Sequence, residues 1–409
     1  MKGIKVVLLA VFVACAAVFP LGAQEAPRAL PVPETVSPEL AHLIAAGPFA
    51  QWNTHPTTAA EWKAWAASLA EAASRELPAL RERLGVDMEQ GDIGGVPVFI
   101  FPPKDLPEAN RDRILLNLHG GGYVLGQGES GTAEAIMMAG IGKFRVVYAD
   151  YRLAPDFPYP AAIDDAVSVY RGLLETTPAE RIGVFGTSTG GAMTLILTLR
   201  ARAEGLPLPA AIAPGTPWTD LTKTGDSYFV NEGVDNVLIS YDGWLSEAAR
   251  VYAGGHDLKD PMLSPVYGDV SNFPPTLLTS GTRDLFLSNT VRMHLKLRQG
   301  GGRSRRSHCV RGPVPRAIPY GADAGSHVSF HRTGPFFRQE PPLGRAGNDG
   351  SGERKGCAAA SLRGKEKADE SDEEKNYAAD CAYCGMCCGG RLAVHAQRPF
   401  RRLAAGGAS

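Results

Sequence analysis

Two short runs hold residue types suited to attack on a carbonyl carbon: HGGG at 119–122 and GTSTG at 186–190. Each closes an apolar, β-branched stretch, LLNLHGGG and RIGVFGTSTGG, and each is followed by residues able to form loop or helix. A serine between small residues on a sharp strand-to-helix turn is exposed as a nucleophile, because the backbone passes close to itself there. Gly186 and Gly190 supply that room, and Ser188 is the candidate nucleophile. A glycine-rich loop after an earlier strand can aim free N–H groups at the oxygen that becomes negative during attack. Gly121 and Gly122 are the candidate donors, with the N–H of Thr189 as a third.

Such groups need strands to carry them. VPVFIFPP, RILLNLHG, RVVYADY, RIGVFGTS, AAIAPGTP and TLLTSGTRD read as strands, several too continuously apolar for a half-exposed sheet. AAIDDAVSVYRGLLE, GGAMTLILTLRARAEG and LSNTVRMHLKLRQ read as the helices between them. This alternation predicts an α/β fold with a mainly parallel central sheet flanked by helices, its functional residues at the strands' carboxyl ends. His119, Ser188 and Asp284 all fall at such ends.

Residues 38–84 read as helical. Ser37 before Pro38 is an N-cap pattern, and Thr58 with Glu61 forms a capping-box pattern. Trp62 and Trp65 share a face of the helix that follows, either as simple packing or as part of a cap lining an acyl pocket. The expected organisation is a signal peptide over 1–23, an N-terminal helical cap over 24–93, a core over 94–301 and an aberrant tail over 302–409, expected to be disordered.

The signal reading rests on Lys2 and Lys5 ahead of an apolar stretch over 6–19, with Leu21, Gly22 and Ala23 before a cleavage point. A lipoprotein reading through Cys15 fits less well, because the segment after it stays hydrophobic. Export to the periplasm or medium is the expected localisation. The six remaining cysteines all lie at Cys309 and beyond, so an oxidising compartment would leave the core untouched. A net charge of −1 gives no electrostatic reason for a nucleic-acid or anionic-membrane partner, and the apolar segment is short for a stable membrane insertion. A homodimer is left open.

With these runs in place, the chain resembles the hormone-sensitive-lipase-like esterases of the α/β-hydrolases, and among them the members with GTSAG in place of GDSAG. The likeness extends to DYRLAPDFPYPAAIDDAVSVYRGL from Asp150, DPMLSPVYGD from Asp260 and FPPTLLTSGTRDLFLS from Phe273. It implies an α/β-hydrolase fold with a helical cap, a Ser-Asp-His triad without cofactor, and short to medium acyl esters as small-molecule substrates. It further implies Ser188 as nucleophile, Asp284 as triad acid, Gly121, Gly122 and Thr189 as oxyanion donors, and His119 with Gly120 as support for the loop. Thr189 departs from the more frequent Ala.

The triad base is where the pattern breaks. The resemblance implies a His about thirty residues after the triad acid, in a segment like VFEGxSH. Here Arg clusters after Gly300, and GGGRSRRSHCVRGPVPRAIPY has no strand or helix period. Read one base later, codons 311–318 permit Glu-Gly-Gln-Ser-His-Ala-Gln-Tyr, and those of Cys309 and Val310 permit Val and Phe. Together these spell VFEGQSH, with the His codon starting inside that of Pro315. The tail from about Gly302 therefore reads as a shifted frame under no functional selection. CAYCGMCC resembles metal-ligand spacing but lacks a second ligand pair upstream, so no metal is expected. Among His308, His327, His331 and His395, His327 in GSHVSF is the best remaining candidate for the base. The alternative function is a non-catalytic homologue that binds small ligands without a triad His, as the plant gibberellin receptors do within this family.

Overall fold

The computed structural model describes residues 30–300 and the backbone of the strand Ser304–Val310. These belong to the first of two units, residues 1–344. The expected signal segment, His327, His331, His395, the CAYCGMCC run and all of the tail beyond Val310 lie outside the described residues.

Helices come first: α1 (Pro38–Ala45), α2 (Ala59–Ser74) and α3 (Leu77–Leu84). The Ser37 side chain accepts from Leu40 N at 3.2 Å, with Pro38 at the first helical position. Thr58 and Glu61 form the reciprocal capping box that opens α2. Strands β1 (Glu89–Ile93) and β2 (Val96–Phe101) follow, then β3 (Ile114–Asn117), α4 (Ala133–Gly142), β4 (Arg145–Ala149) and α5 (Ala161–Thr176). The remainder runs β5 (Ile182–Thr187), α6 (Thr189–Ala203), β6 (Ala211–Gly215), α7 (Ser227–Val230), α8 (Trp244–Ala253), β7 (Thr276–Gly281), α9 (Leu287–Gln299) and β8 (Ser304–Val310). The six strands read from the sequence correspond to β2 through β7. The sheet extends past both bounds of the expected core: Ser304–Val310, inside the stretch expected to be an aberrant tail without strand period, pairs with β7, and Glu89–Ile93 pairs with β2. That strand is exposed along most of its length, so no apolar alternation marks it.

The eight strands lie in the order β1-β2-β4-β3-β5-β6-β7-β8. Pairing is antiparallel from β1 to β2 and from β2 to β4, and parallel from β4 onward. Side chains alternate across the central strands and divide the core in two. Leu116, Val147, Val184, Ile212 and Leu278 pack on one face, under α5, α6 and α8. Leu115, Val146, Phe185, Ala213 and Leu277 pack on the other, against α3 and α4. Both faces being covered explains why these strands lack polar alternation.

The order of β3 decides where the site can be. From β3 the chain crosses by α4 to β4 on one side; from β5 it crosses by α6 to β6 on the other, over the opposite face. The carboxyl ends of β3 and β5 therefore open side by side at the switch in winding direction, where α/β sheets leave a crevice. HGGG follows one end and Ser188 the other.

Candidate active site

Ser188 joins β5 to α6 with φ 63° and ψ −119°, a region that non-glycine residues rarely occupy and that costs on the order of 1–3 kcal/mol. Its neighbours hold it there. The Ser188 N–H donates to Gly215 O at 3.0 Å, and its carbonyl accepts from Trp218 N and Ala192 N, each at 3.0 Å. Space explains the glycines: a Cβ on Gly190 would collide with the Leu118 carbonyl oxygen and stand 2.6 Å from that of His119. A Cβ on Gly186 would meet Leu118 O as well. The elbow and the end of β3 are thus in backbone contact, and Leu118 N donates to Phe185 O at 3.0 Å.

The HGGG loop is held against this elbow. Gly121 has φ 116° and Gly122 has φ 66°; the Gly121 carbonyl accepts from Val124 N and Leu125 N, closing a tight turn. A Cβ on Gly122 would lie 2.7 Å from the Trp244 ring. Thr189 opens α6, whose first-turn N–H groups have no intrahelical acceptor and carry the positive end of the helix dipole. His119 is buried and stacked between Tyr151, at 4.0 Å between ring centroids, and Tyr148, at 5.1 Å. Its Nδ1 lies 2.7 Å from Gly120 O, so Nδ1 carries the proton and Nε2 is left as an acceptor, with no partner among the described residues. Burial pushes this imidazole down to about 4, so it is neutral at ordinary pH. Tyr151 Oη donates to the His119 carbonyl at 2.7 Å and ties the loop to the turn after β4.

Asp284 follows β7, two strands from Ser188, or about 10 Å at ordinary strand spacing. It is 2% exposed. One carboxylate oxygen accepts from Phe286 N at 2.7 Å; the other accepts from the Thr216 hydroxyl and, at 3.5 Å, from Ser280 Oγ. Asn231 Nδ2 donates to the Asp284 carbonyl at 2.9 Å. Thr216 directly follows Gly215, the residue that accepts the Ser188 N–H, so the end of β6 links the two positions. Beside β7, β8 runs parallel with Gly281 opposite Val310. The chain therefore leaves β8 at the end of the sheet where Asp284 stands.

A cavity of about 210 Å³ opens at Ser188. His119, Gly120, Gly121, Thr187 and Glu134 line its floor, and Phe49, Leu69, Val237 and Trp244 its apolar walls. Helix α2 contributes Ala66, Leu69, Ala70 and Ala73 to the wall, while Trp62 and Trp65 turn into the core, Trp65 packing on Trp244 at 5.5 Å. The helix does line the cavity, but through Leu69 and the alanines on the face next to the tryptophans. Glu134 on α4 had no motif to mark it. Thr216 was signalled only by its place at the end of a strand-like run. No helix among the described residues is long and apolar enough to cross a membrane.

Comparison with known proteins agrees with this geometry. A family model described as alpha/beta hydrolase fold matches residues 115–312. The chain is 32% identical over 216 residues to an acetyl-hydrolase of Streptomyces hygroscopicus, covering 50% of this chain and 71% of the relative. It is 30% identical over 193 residues to an esterase of Acinetobacter venetianus, covering 47% of this chain and 63% of that one. Among solved structures, esterase E25 superposes with a TM-score of 0.73 at 39% identity, covering 78% of this chain and 99% of E25. An esterase of the bacterial hormone-sensitive lipase family superposes with a TM-score of 0.58 at 25% identity, covering 70% and 99%.

Proposed function

Since the chain belongs to the hormone-sensitive-lipase-like esterases of the α/β-hydrolase fold, we propose that it is built as a serine carboxylesterase for short to medium acyl esters. The observation that carries this reading is Ser188 at positive φ on the floor of an apolar cavity, beside Gly120 and Gly121. Ser188 Oγ attacks the ester carbonyl, the N–H groups of Gly121, Gly122 and Thr189 receive the oxyanion, and the alcohol leaves an acyl-enzyme that water then hydrolyses. Each oxyanion donor contributes on the order of 3 kcal/mol to the transition state. A cavity of about 210 Å³ with alanines along one wall favours small acyl groups.

The attack needs an imidazole to take the Ser188 proton and Asp284 to hold that imidazole's other nitrogen. The position five residues past Val310, where a shifted frame supplies His, follows a strand that ends beside Gly281. This favours the restored histidine over His327 as the base. Without it, Ser188 is a weak nucleophile and only the oxyanion donors and cavity remain, a residue of about 10³–10⁴-fold over water. The lysines and apolar run at the amino terminus support export.

The test is turnover of p-nitrophenyl butyrate by the chain as it stands and by the chain with its frame restored. Restoration should raise turnover sharply, and replacing the restored His by Ala should remove the gain. Full activity of the chain as it stands, lost on His327→Ala, would make His327 the base. Binding of small acids without turnover in the restored chain would make the protein a non-catalytic binder.

A further inference from the structure

Glu134 is 5% exposed and has no cationic partner among the described residues. It projects from α4 to the floor of the cavity that holds Ser188. Thr187 Oγ1 donates to its Oε1 at 2.6 Å, and Asn117 Nδ2 approaches its Oε2 at 3.4 Å. Thr187 is the last residue of β5 and immediately precedes the nucleophile; Asn117 is the last of β3 and precedes Leu118, on whose carbonyl Gly186 and Gly190 ride. One carboxyl therefore grips the two strand ends whose relative position sets the elbow against the oxyanion loop.

We propose that Glu134 is a positioning residue for Ser188, acting through the Thr187 hydroxyl and not on the ester. The inference rests on the esterase reading above. The grip has two states. Ionised, the carboxylate accepts from both Thr187 and Asn117. Protonated, it needs an acceptor, and Asn117 Oδ1, unpartnered among the described residues, supplies one after a turn of the amide. The Thr187 bond then loses its charge assistance. Burial lifts this carboxyl to about 7, so the change of state falls where the enzyme would work. Around α4, other titratable groups include His119, neutral above about 4; Tyr148 of β4, which burial raises and which donates to Gly126 O; Tyr151, raised by burial and stacked on His119; Asp150, raised by burial and accepting from Gly128 N; Arg81 of α3, paired with Glu129; and Lys143 at the end of α4, paired with Asp105.

The experiment compares Glu134→Gln, Thr187→Val, Thr187→Ser and the double variant with the frame-restored full chain, on p-nitrophenyl butyrate from pH 5 to 9. Glu134→Gln should lower kcat about tenfold at pH 8 with KM unchanged, and the acid limb of kcat/KM should fall from a slope above one to a slope of one. Thr187→Val should share the loss, the double variant should lose no more than either, and Thr187→Ser should keep the parent rate. If Glu134→Gln does not fold, Thr187→Val, which keeps the carboxyl and removes only its short donor, carries the comparison. An unchanged kcat and profile in Glu134→Gln and Thr187→Val, or additive losses, would overturn the role. Ser188→Ala run alongside separates the two readings: activity surviving it overturns the esterase assignment. Activity lost with it, yet untouched by the Glu134 and Thr187 changes, overturns only the role of Glu134.

Discussion

The two halves of the candidate site are built by different means. The half at β3 and β5 is made of backbone in contact: Gly186 and Gly190 against Leu118 and His119, Gly121 and Gly122 in a turn, Ser188 pinned to Gly215. Hardly any side chain there could be enlarged without moving a strand. The half at β7 and β8 is made of side chains reaching toward one another, Thr216, Ser280 and Asn231 around Asp284, at the end where β8 closes beside β7. Steric contact between neighbouring strands tolerates no loss of sequence, whereas a loop can be altered while the sheet beside it still forms. On the proposed reading, a shifted frame near the end of the chain would remove the base and leave the setting of Ser188 standing.

The largest effect should come from the first half. In the frame-restored chain Ser188→Ala should lower p-nitrophenyl butyrate turnover roughly 10⁶-fold with the melting transition nearly unchanged. Partial activity there would mean that another group attacks. In the second half, Asp284→Asn should cost about 10⁴-fold in kcat, because the imidazole takes the wrong tautomer, while the fold persists. A loss of folding instead would show that the hydrogen bonds from Thr216 and Phe286 make Asp284 structural.

Smaller effects sharpen the contrast. Gly190→Ala should destabilise the chain by about 3–5 kcal/mol in thermal or urea unfolding, since its Cβ meets carbonyl oxygens that belong to a central strand end. Tolerance of that change would mean the two strand ends are not in fixed contact. Glu134 gives a pH test of the same floor. Its carboxyl binds a proton more tightly folded, at about 7, than at its ordinary 4.5, so its contribution is complete below pH 4.5 and is lost as the pH rises to 7. The parent should lose about 3 kcal/mol across that window and Glu134→Gln should not. Last, Thr58→Ala should cost about 1 kcal/mol by opening the capping box of α2, raising KM more than it lowers kcat because that helix walls the cavity.

The sequence by itself determined the alternation of strands and helices, the six strands from β2 to β7 and the two helix starts at Ser37 and Thr58. Each of these is a local property: period, branching, or a cap satisfied within one turn. HGGG and GTSTG were legible for the same reason, since glycine is demanded wherever backbone meets backbone. The break in the family pattern after Gly300 was legible too, because a motif and its spacing are properties of sequence alone. Only the tertiary structure decided the rest. It put Glu134, from a helix with no motif, beneath Thr187; it set Thr216 between Ser188 and Asp284; and it turned the α2 tryptophans into the core and the alanines toward the cavity. Those contacts join residues far apart in the chain, and their partners are chosen by which strand lies beside which. That order is fixed by the packing of both faces of the sheet, which no local pattern states.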